Sequence, residues 1–360
     1  MNKKIVFVVS ALRGGGAEKF VLNLYRALEK YEKIECHIIS IEKAVDHDID
    51  GFNVTYASDL CSVSKKGINR FLYKKRISKV IDSYIENEIS SDALILSNML
   101  LSDKVMSKSK LNVYHVIHSS YSSAFISAGK KFKNIKTINR INNIYKKHPL
   151  IFVSYAAKCD FFENFKSKFD NKVIYNPVNV NELQVLSNDD AVEYDDYIIH
   201  VGRFNRAKRH DKLINAFSLI EDKKIKLLLL GDGSDRQKIE VLVKDKNLSN
   251  RVIFLGFKSN PYPYIKNAKL LILTSDFEGL PTVVIEALAL NTPVVSTDSA
   301  GGIREIIGQC ENMITSRDDI TEIARSIDDA LINPQKYICS VKEQFVDENV
   351  ANKYAGIFID

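Results

Sequence analysis

The residues best suited to chemistry gather in one stretch, residues 274–302 (TSDFEGLPTVVIEALALNTPVVSTDSAGG), which carries two carboxylates, Glu278 and Glu286. Between them, Pro281 and Thr282 read as a helix start, because Pro is tolerated at the first helical position and sets φ in advance. Glu278 then lies just ahead of the helix and Glu286 about a turn and a half inside it. The two sit at different depths of one crevice and can hold different parts of one ligand. A helix N-terminus offers free N–H groups and a positive dipole end, which suits a phosphate. Cations stand upstream in the turn GRFNRAKRH, residues 202–210, where Arg203 and Lys208 follow a strand. Two cations plus free backbone donors suit a diphosphate. A carboxylate able to accept two hydrogen bonds suits the vicinal hydroxyls of a ribose, a role for Glu286. Glu278 would reach past the diphosphate toward a hydroxylated group, and the whole describes a nucleotide-diphosphate sugar. One histidine joins the candidates. His118 opens His118-Ser119-Ser120-Tyr121 at the carboxyl end of a short apolar run, where open α/β sheets bind ligands.

Elements of alternating kind must position these groups. Lys4–Val9 reads as a buried strand, Gly14–Gly16 as a turn and Ala17–Tyr25 as the start of a helix with apolar residues at helical spacing. The turn lacks the full G-x-G-x-x-G pattern of a dinucleotide site. Ile34–Ile41, Ala93–Leu96, Val113–Ile117, Ile151–Ser154 and Lys172–Val178 read as further strands. The polar, acidic run at 187–196, SNDDAVEYDD, reads as a linker, after which the pattern restarts. Tyr197–Val201, Ile225–Leu230, Val252–Leu255, Leu270–Leu273 and Val294–Thr297 are its strands, with helices expected at Asp211–Leu219, 234–246, Val283–Ala289 and Thr321–Leu331 and a short connection at Asn260–Asn267. The fold class expected is α/β, two doubly wound Rossmann-like domains facing across a cleft. Their expected extents are 1–185 with a returning C-terminal helix 346–360, and 186–345.

A chain of 360 residues suits two domains, and its 45% apolar and 27% charged content is that of a globular protein. No apolar run approaches the ~20 residues of a membrane span. The apolar part of the N-terminus, Ile5–Leu12, ends at Arg13 and three glycines and reads as a first strand rather than a signal peptide. Five scattered cysteines without metal spacing fit a reducing cytoplasm. Residues 1–180 hold 29 Lys+Arg against 17 Asp+Glu; subtraction from totals of 51 and 45 leaves 22 against 28. The basic excess is concentrated in two amphipathic segments. Residues 64–86 carry Lys65, Lys66, Arg70, Lys74, Lys75, Arg76 and Lys79, with Ile68, Phe71, Leu72, Val80, Ile81, Tyr84 and Ile85 as apolar positions. Residues 130–148 interleave Phe132, Ile135, Ile138, Ile141 and Ile144 with Lys131, Lys133, Lys136, Arg140, Lys146 and Lys147. Both could lie on an anionic bilayer, each basic residue adding about 1 kcal/mol near the surface. No recognised nucleic-acid module accompanies the charge, so no nucleic-acid partner is expected. Asp46-His47-Asp48 could suggest a metal-binding D-x-D triplet, but it stands in an acidic run after a strand and reads as a solvated loop.

In this order the motifs resemble those of family 4 retaining glycosyltransferases of the GT-B type. They are GGGAEKFVLNL (14–24), HVGRFNRAKRHDKLINAF (200–217), LLGDGSDRQKIE (229–240), VIFLGFKSNPYPYIKNA (252–268) and FEGLPTVVIEALALNTPVVSTDSAGGIREII (277–307). The resemblance implies that Arg203 and Lys208 bind the diphosphate and steady the leaving nucleotide. Glu286 holds the ribose, Glu278 with Gly279–Leu280 grips the donor sugar, and Gly256–Phe257 lie near the base. Gly15 and Gly16 let the backbone approach the ligand, and His118 matches a histidine near the donor sugar. It implies retention of configuration, no metal and no cofactor beyond a nucleotide-diphosphate sugar, most simply a UDP-sugar. The closer likeness, through SALRGGGAEK and FLGFKSNPYPYI, is to bacterial enzymes of lipopolysaccharide, O-antigen or lipid-linked oligosaccharide assembly. These move a hexose or N-acetylhexosamine to lipid-linked or lipopolysaccharide acceptors at the cytoplasmic membrane face. The alternative on the same scaffold is a nucleotide-sugar epimerase or hydrolase needing no glycan acceptor. One departure stands out. Family members commonly have Lys-Gly in the basic turn; here it reads Lys208-Arg209-His210, which keeps the phosphate lysine and puts the local backbone path in question.

Overall fold

The computed structural model describes residues 2–60, 69–126, 130–189, 192–308 and 310–358, the side chains of 69–71 and 131 apart. Lys65, Lys66 and Ile68 of the first basic segment fall outside the described residues, as do the side chains of Arg70, Phe71 and Lys131. The chain divides into two units, Met1–Pro177 with Asp347–Asp360, and Val178–Val346.

The first unit is a seven-stranded sheet with every neighbouring pair parallel. Its strands are β1 (Lys3–Val9), β2 (Ile34–Ser40), β3 (Val54–Tyr56), β4 (Leu94–Asn98), β5 (Val113–Ile117), β6 (Leu150–Phe152) and β7 (Lys172–Val173), in the order β3-β2-β1-β4-β5-β6-β7. Alternation along β1 explains the layering. Phe7 meets Tyr25 of the helix Gly16–Glu29 on one face. Val6 and Val8 pack on the other with Ile77, Ile81 and Ile85. Helices therefore cover both faces, which is why these strands read as near-continuous apolar runs.

The second unit repeats the plan. Its strands are β8 (Tyr197–Val201), β9 (Lys226–Leu230), β10 (Val252–Gly256), β11 (Leu270–Leu273), β12 (Val294–Thr297) and β13 (Ile314–Thr315), all parallel, in the order β10-β9-β8-β11-β12-β13. In each unit the chain builds outward to one side and then returns to the other. The switch points lie between β1 and β4 and between β8 and β11, and ligand crevices of doubly wound sheets form at the carboxyl ends of such strands.

Three expectations need correction. The unit boundary falls at Pro177 rather than at 185. A helix, Val180–Leu186, follows it and packs within the second unit, and the Val178 N–H donates to Phe345 O. The acidic run at 187–196 thus follows the first helix of the second unit instead of separating the units. Second, the strand expected at Lys172–Val178 belongs to the sheet only over Lys172–Val173, and Val178 instead makes an isolated parallel bridge with Val346. Third, the helix Asn69–Tyr84 covers the sheet with Ile77 and Ile81, beside partly buried Tyr73 and Tyr84, and Ile85 continues the stripe one turn on; Leu72, counted among the apolar positions, is exposed. Asp347–Gly356 returns to the first unit, where Asp347 pairs with Lys30 at 2.7 Å and Tyr354 meets Phe20.

Candidate active site

In the second unit the carboxyl ends of five strands carry the turns that the sequence singled out. After β8 comes 202–209, after β9 231–233, after β10 256–257, after β11 274–281 and after β12 298–302. Backbone contact sets their spacing. The Gly202 N–H donates to Leu230 O, Phe204 N–H to Asp232 O, and Gly231 N–H to Gly256 O. Gly231 has φ +129° and Gly233 has φ +155°, and a Cβ on either would strike the carbonyl oxygen of Gly202 or Phe204. Only glycine allows two turns to lie this close.

The loop Thr274–Leu280 is tied on both sides. The Asp276 N–H donates to Ala207 O, Glu278 N–H to Ala300 O, and Gly302 N–H to Gly279 O. Gly301, at φ +121°, faces the Glu278 carbonyl with no room for a side chain. The Thr274 hydroxyl donates to the carbonyls of Lys208 and Arg209. The basic turn and the carboxylate loop are thereby fixed against each other at the β8/β11 switch point.

Within that frame Lys208 Nζ donates to Glu278 Oε1 at 2.6 Å, and Ser275 Oγ donates to the same oxygen at 2.6 Å. The side chains are 19% and 13% exposed, so the pair is largely shielded yet reachable. One carboxylate oxygen of Glu278 carries both bonds, leaving Oε2 with its acceptor capacity, and Lys208 has two further hydrogens. Glu286 is buried at 3% exposure within the helix Thr282–Ala289. Arg203 is exposed on the Gly202–Phe204 turn, and Phe257 is 42% exposed after β10. Among the described residues, no cluster of three or more His, Cys, Asp or Glu is placed to hold a metal ion.

Arg209 resolves the departure in the basic turn. It takes the left-handed conformation that glycine would supply, φ 49° and ψ 47°. Its guanidinium is clamped by Asp211, through Nε at 2.8 Å and Nη2 at 2.8 Å, and by Asp276 through Nη1 at 3.0 Å. These bonds hold the Asp211 carboxyl below its usual pKa. Lys212, almost fully buried, joins Asp276 at 2.6 Å, Asp318 at 2.9 Å and Arg317 O at 2.7 Å. Ser275 and Asp276 stand in the stretch 274–302 and Lys212 in the motif 200–217 without a role assigned from sequence, and Arg209 was noted only as a departure. Their signal was faint: an acid two residues before Glu278, and a lysine at a helix position that proved inward-facing.

The first unit gathers its own candidates at the β1/β4 switch point. His118 follows β5, and its Nε2 stands 2.9 Å from Asn98 Oδ1 at the end of β4. Asn98 Nδ2 donates to Leu96 O, which fixes the amide, so Nε2 of His118 carries the hydrogen and Nδ1 the lone pair. The ring stands edge-on to Phe20, 4.7 Å between centroids, one turn past Gly16. Burial pushes its pKa down to about 3, so the imidazole is neutral. Gly15 is extended, and a Cβ on Gly16 would meet open space. The D-x-D triplet is a turn brace: Asp46 Oδ2 accepts from the Gly14 N–H and Asp48 Oδ1 from the Asp50 N–H.

The two basic segments also meet. Helix Leu100–Met106 contacts both Asn69–Tyr84 and Lys131–Tyr145. Lys104 on it has its pKa lowered by burial first, then by the charges of Lys74 and Arg140. Phe132 is 84% exposed and Ile135 46%, on the same helix as Lys133, Lys136 and Arg140, while Ile141 and Tyr145 further on are buried.

Residues 188–344 match the family model described as glycosyl transferases group 1. A Campylobacter jejuni enzyme, N-acetylgalactosamine-N,N'-diacetylbacillosaminyl-diphospho-undecaprenol 4-alpha-N-acetylgalactosaminyltransferase, is 28% identical over 86% of this chain and 85% of its own length. A second from the same organism, a GalNAc-alpha-(1->4)-GalNAc-alpha-(1->3)-diNAcBac-PP-undecaprenol alpha-1,4-N-acetyl-D-galactosaminyltransferase, is 25% identical over 90% of this chain and 88% of its own. Among solved structures, a mutant of Staphylococcus aureus TarM in complex with fondaparinux, alpha-GlcNAc-glycerol and UDP superposes with a TM-score of 0.75 at 17% identity, covering 99% of this chain and 100% of that one. Anabaena HepE in complex with UDP and glucose gives a TM-score of 0.69 at 19% identity, covering 100% and 96%.

Proposed function

This chain is a glycosyltransferase of the GT-B fold, and from that premise we propose that it moves a hexose or N-acetylhexosamine from a UDP-sugar to a hydroxyl of a lipid-linked or lipopolysaccharide-type glycan. The observation that carries the reading is the Lys208–Glu278 pair, held at the β8/β11 switch point by backbone bonds from three turns. Lys208, with Arg203, takes the diphosphate and stabilises the charge that builds on the leaving nucleotide. Glu278 and the Gly279–Leu280 backbone accept and donate to the sugar, and buried Glu286 holds the ribose. Gly256–Phe257 border the base. In the first unit, His118 carries an Nδ1 lone pair suited to accept from a hydroxyl, and Gly16 leaves room for backbone approach. The cations and the start of the helix Thr282–Ala289 take the role a metal would have, so transfer needs none. It proceeds with retention, attack and departure sharing one face of the sugar.

The named relatives act on undecaprenol-diphosphate-linked glycans, which supports an acceptor of that class. The exposed Phe132 and Ile135 among Lys133, Lys136 and Arg140 support contact with an anionic membrane, on the cytoplasmic side where nucleotide sugars are made. No helix among the described residues is long and apolar enough to cross a membrane.

UDP release from a panel of UDP-sugars, with and without membrane lipid extract, tests the reading. Release that depends on the extract, and that falls at least 100-fold in Lys208→Ala and Glu278→Ala, is expected. Release that ignores the extract would favour the epimerase or hydrolase alternative. Unchanged turnover in both variants would remove the site.

A further inference from the structure

Behind Lys208 stands a wall of two histidines. His200, at the end of β8, is fully buried, and His210, at the start of the helix His210–Leu219, is 2% exposed. Nδ1 of His200 stands 2.8 Å from Ile272 O. A carbonyl only accepts, so Nδ1 carries the hydrogen and Nε2 carries a lone pair. That lone pair is buried and has no hydrogen-bond partner among the described residues; the same holds for both nitrogens of His210. His210 lies flat on Phe204, 4.0 Å and 17° apart, and edge-on to His200 at 4.6 Å, so the rings brace one another.

The orphaned nitrogen has a direction. Nε2 of His200 lies 3.3 Å from the point where a side chain on Gly202 would begin, and Cδ and Cε of Lys208 lie 3.4 Å from that same point. Nε2 and the end of the lysine stem therefore border the same space over Gly202, whose missing side chain keeps it open. Burial pushes His200 down to about 4 and His210 to about 2, with the Lys208 charge adding to each, so both rings are neutral beside the ammonium. On the other side, Glu278 takes one ammonium hydrogen.

We propose that His200 is a positioning residue for Lys208: its Nε2 lone pair takes a second ammonium hydrogen through one buried water, so that Glu278 and His200 together aim the third at the donor phosphate. This rests on reading Lys208 as the phosphate contact. His200 itself touches no substrate. Without the lone pair, the ammonium rotates about its stem and meets the phosphate only part of the time.

Two substitutions separate this role from a structural one. In His200→Gln the amide oxygen falls near the position of Nε2 and restores the acceptor, whereas the Ile272 contact is lost. In His200→Asn the amide reaches Ile272 O, and no acceptor stands at Nε2. Calorimetric titration with UDP is expected to give near-native affinity for Gln and a loss of about tenfold for Asn, the scale of one hydrogen bond to a charged group. In a Lys208→Met background the Asn substitution should cost nothing further. The reverse order, or equal losses in both backgrounds, overturns the proposal. If either variant does not fold, His200→Phe enters the same cycle with the expectation given for Asn. A second readout needs no nucleotide. Trace acetylation across pH 7–11, quantified on the Lys208 peptide, should show its reactivity midpoint falling in Asn and not in Gln; an unmoved midpoint overturns the coupling. A protein that binds no UDP yet shows this shift would refute the donor reading and leave the His200–Lys208 pairing standing.

Discussion

Arg209 occupies a backbone conformation that costs an L-residue about 1–2 kcal/mol, because in the left-handed region Cβ crowds the following carbonyl. Truncating Arg209 to Ala and to Gly removes the same bonds to Asp211 and Asp276. Those ion pairs are about one-third exposed, so each contributes only up to about 1 kcal/mol after solvent screening. Their loss cancels when the two variants are compared with each other. What remains is the steric cost borne by Ala, less about 0.4–1 kcal/mol for the greater freedom of Gly in the unfolded chain. Arg209→Gly is therefore expected to be more stable than Arg209→Ala by roughly 1 kcal/mol, or about 2–4 °C in the melting of the second unit. This inverts the usual order of the two residues next to a helix. The chain has no tryptophan, so unfolding is followed by far-UV circular dichroism in urea with equal m-values required. If Ala equals or exceeds Gly, the left-handed turn at 209 is wrong, and the fixed path from Arg203 to Lys208 goes with it.

Gly301→Ala should be worse than any cavity at this site: its Cβ meets the Glu278 carbonyl at positive φ, so about 2–3 kcal/mol of stability and nearly all turnover should be lost together, read by thermal melting and UDP release. Acid should destabilise the second unit through His200 and His210. Their folded pKa values, about 4 and about 2, lie below the ~6.5 of a free histidine, so the unfolded chain binds protons that the folded chain does not. The stabilisation is present above pH ~6.5 and is lost as pH falls toward 4, at about 1.4 kcal/mol per pH unit for each ring. His210→Phe should halve that slope in urea titrations at pH 6.5, 5.5 and 4.5; an unchanged slope counts against two neutral buried imidazoles. Replacing Lys74, Lys75 and Lys79 with Gln, or Phe132 with Ser, should each weaken co-sedimentation with anionic vesicles several-fold and leave neutral vesicles unaffected. Undiminished co-sedimentation would sink the membrane surface.

Much of the frame was legible in residue order. Near-continuous apolar runs closed by glycine turns marked most of the strands, since strands buried on both faces have no polar side to show. Pro281 marked the helix start to within a residue, and the spacing of Glu278 and Glu286 placed one before it and one inside it. The short strand Val54–Tyr56 and the helix Val180–Leu186 escaped, one too brief for a periodic signal and the other masked by an expected strand and linker. Helical spacing named the amphipathic segments and counted Leu72 among their apolar positions, but did not show that Leu72 is exposed, because a periodic stripe states which residues share a side and not where cover ends.

The sequence by itself determined the alternation of elements and the residue types at the turns, because periodicity, proline and glycine act within a few residues of where they stand. The pairing of Lys208 with Glu278, which lie 70 residues apart, was decided only when β8 and β11 became neighbours at the switch point. So was the left-handed Arg209, which no local preference would select and which Asp211 and Asp276 hold in place. Strand order joins residues that the chain keeps apart, and burial then sets which of their polar atoms find partners and which, like Nε2 of His200, are left facing a lysine.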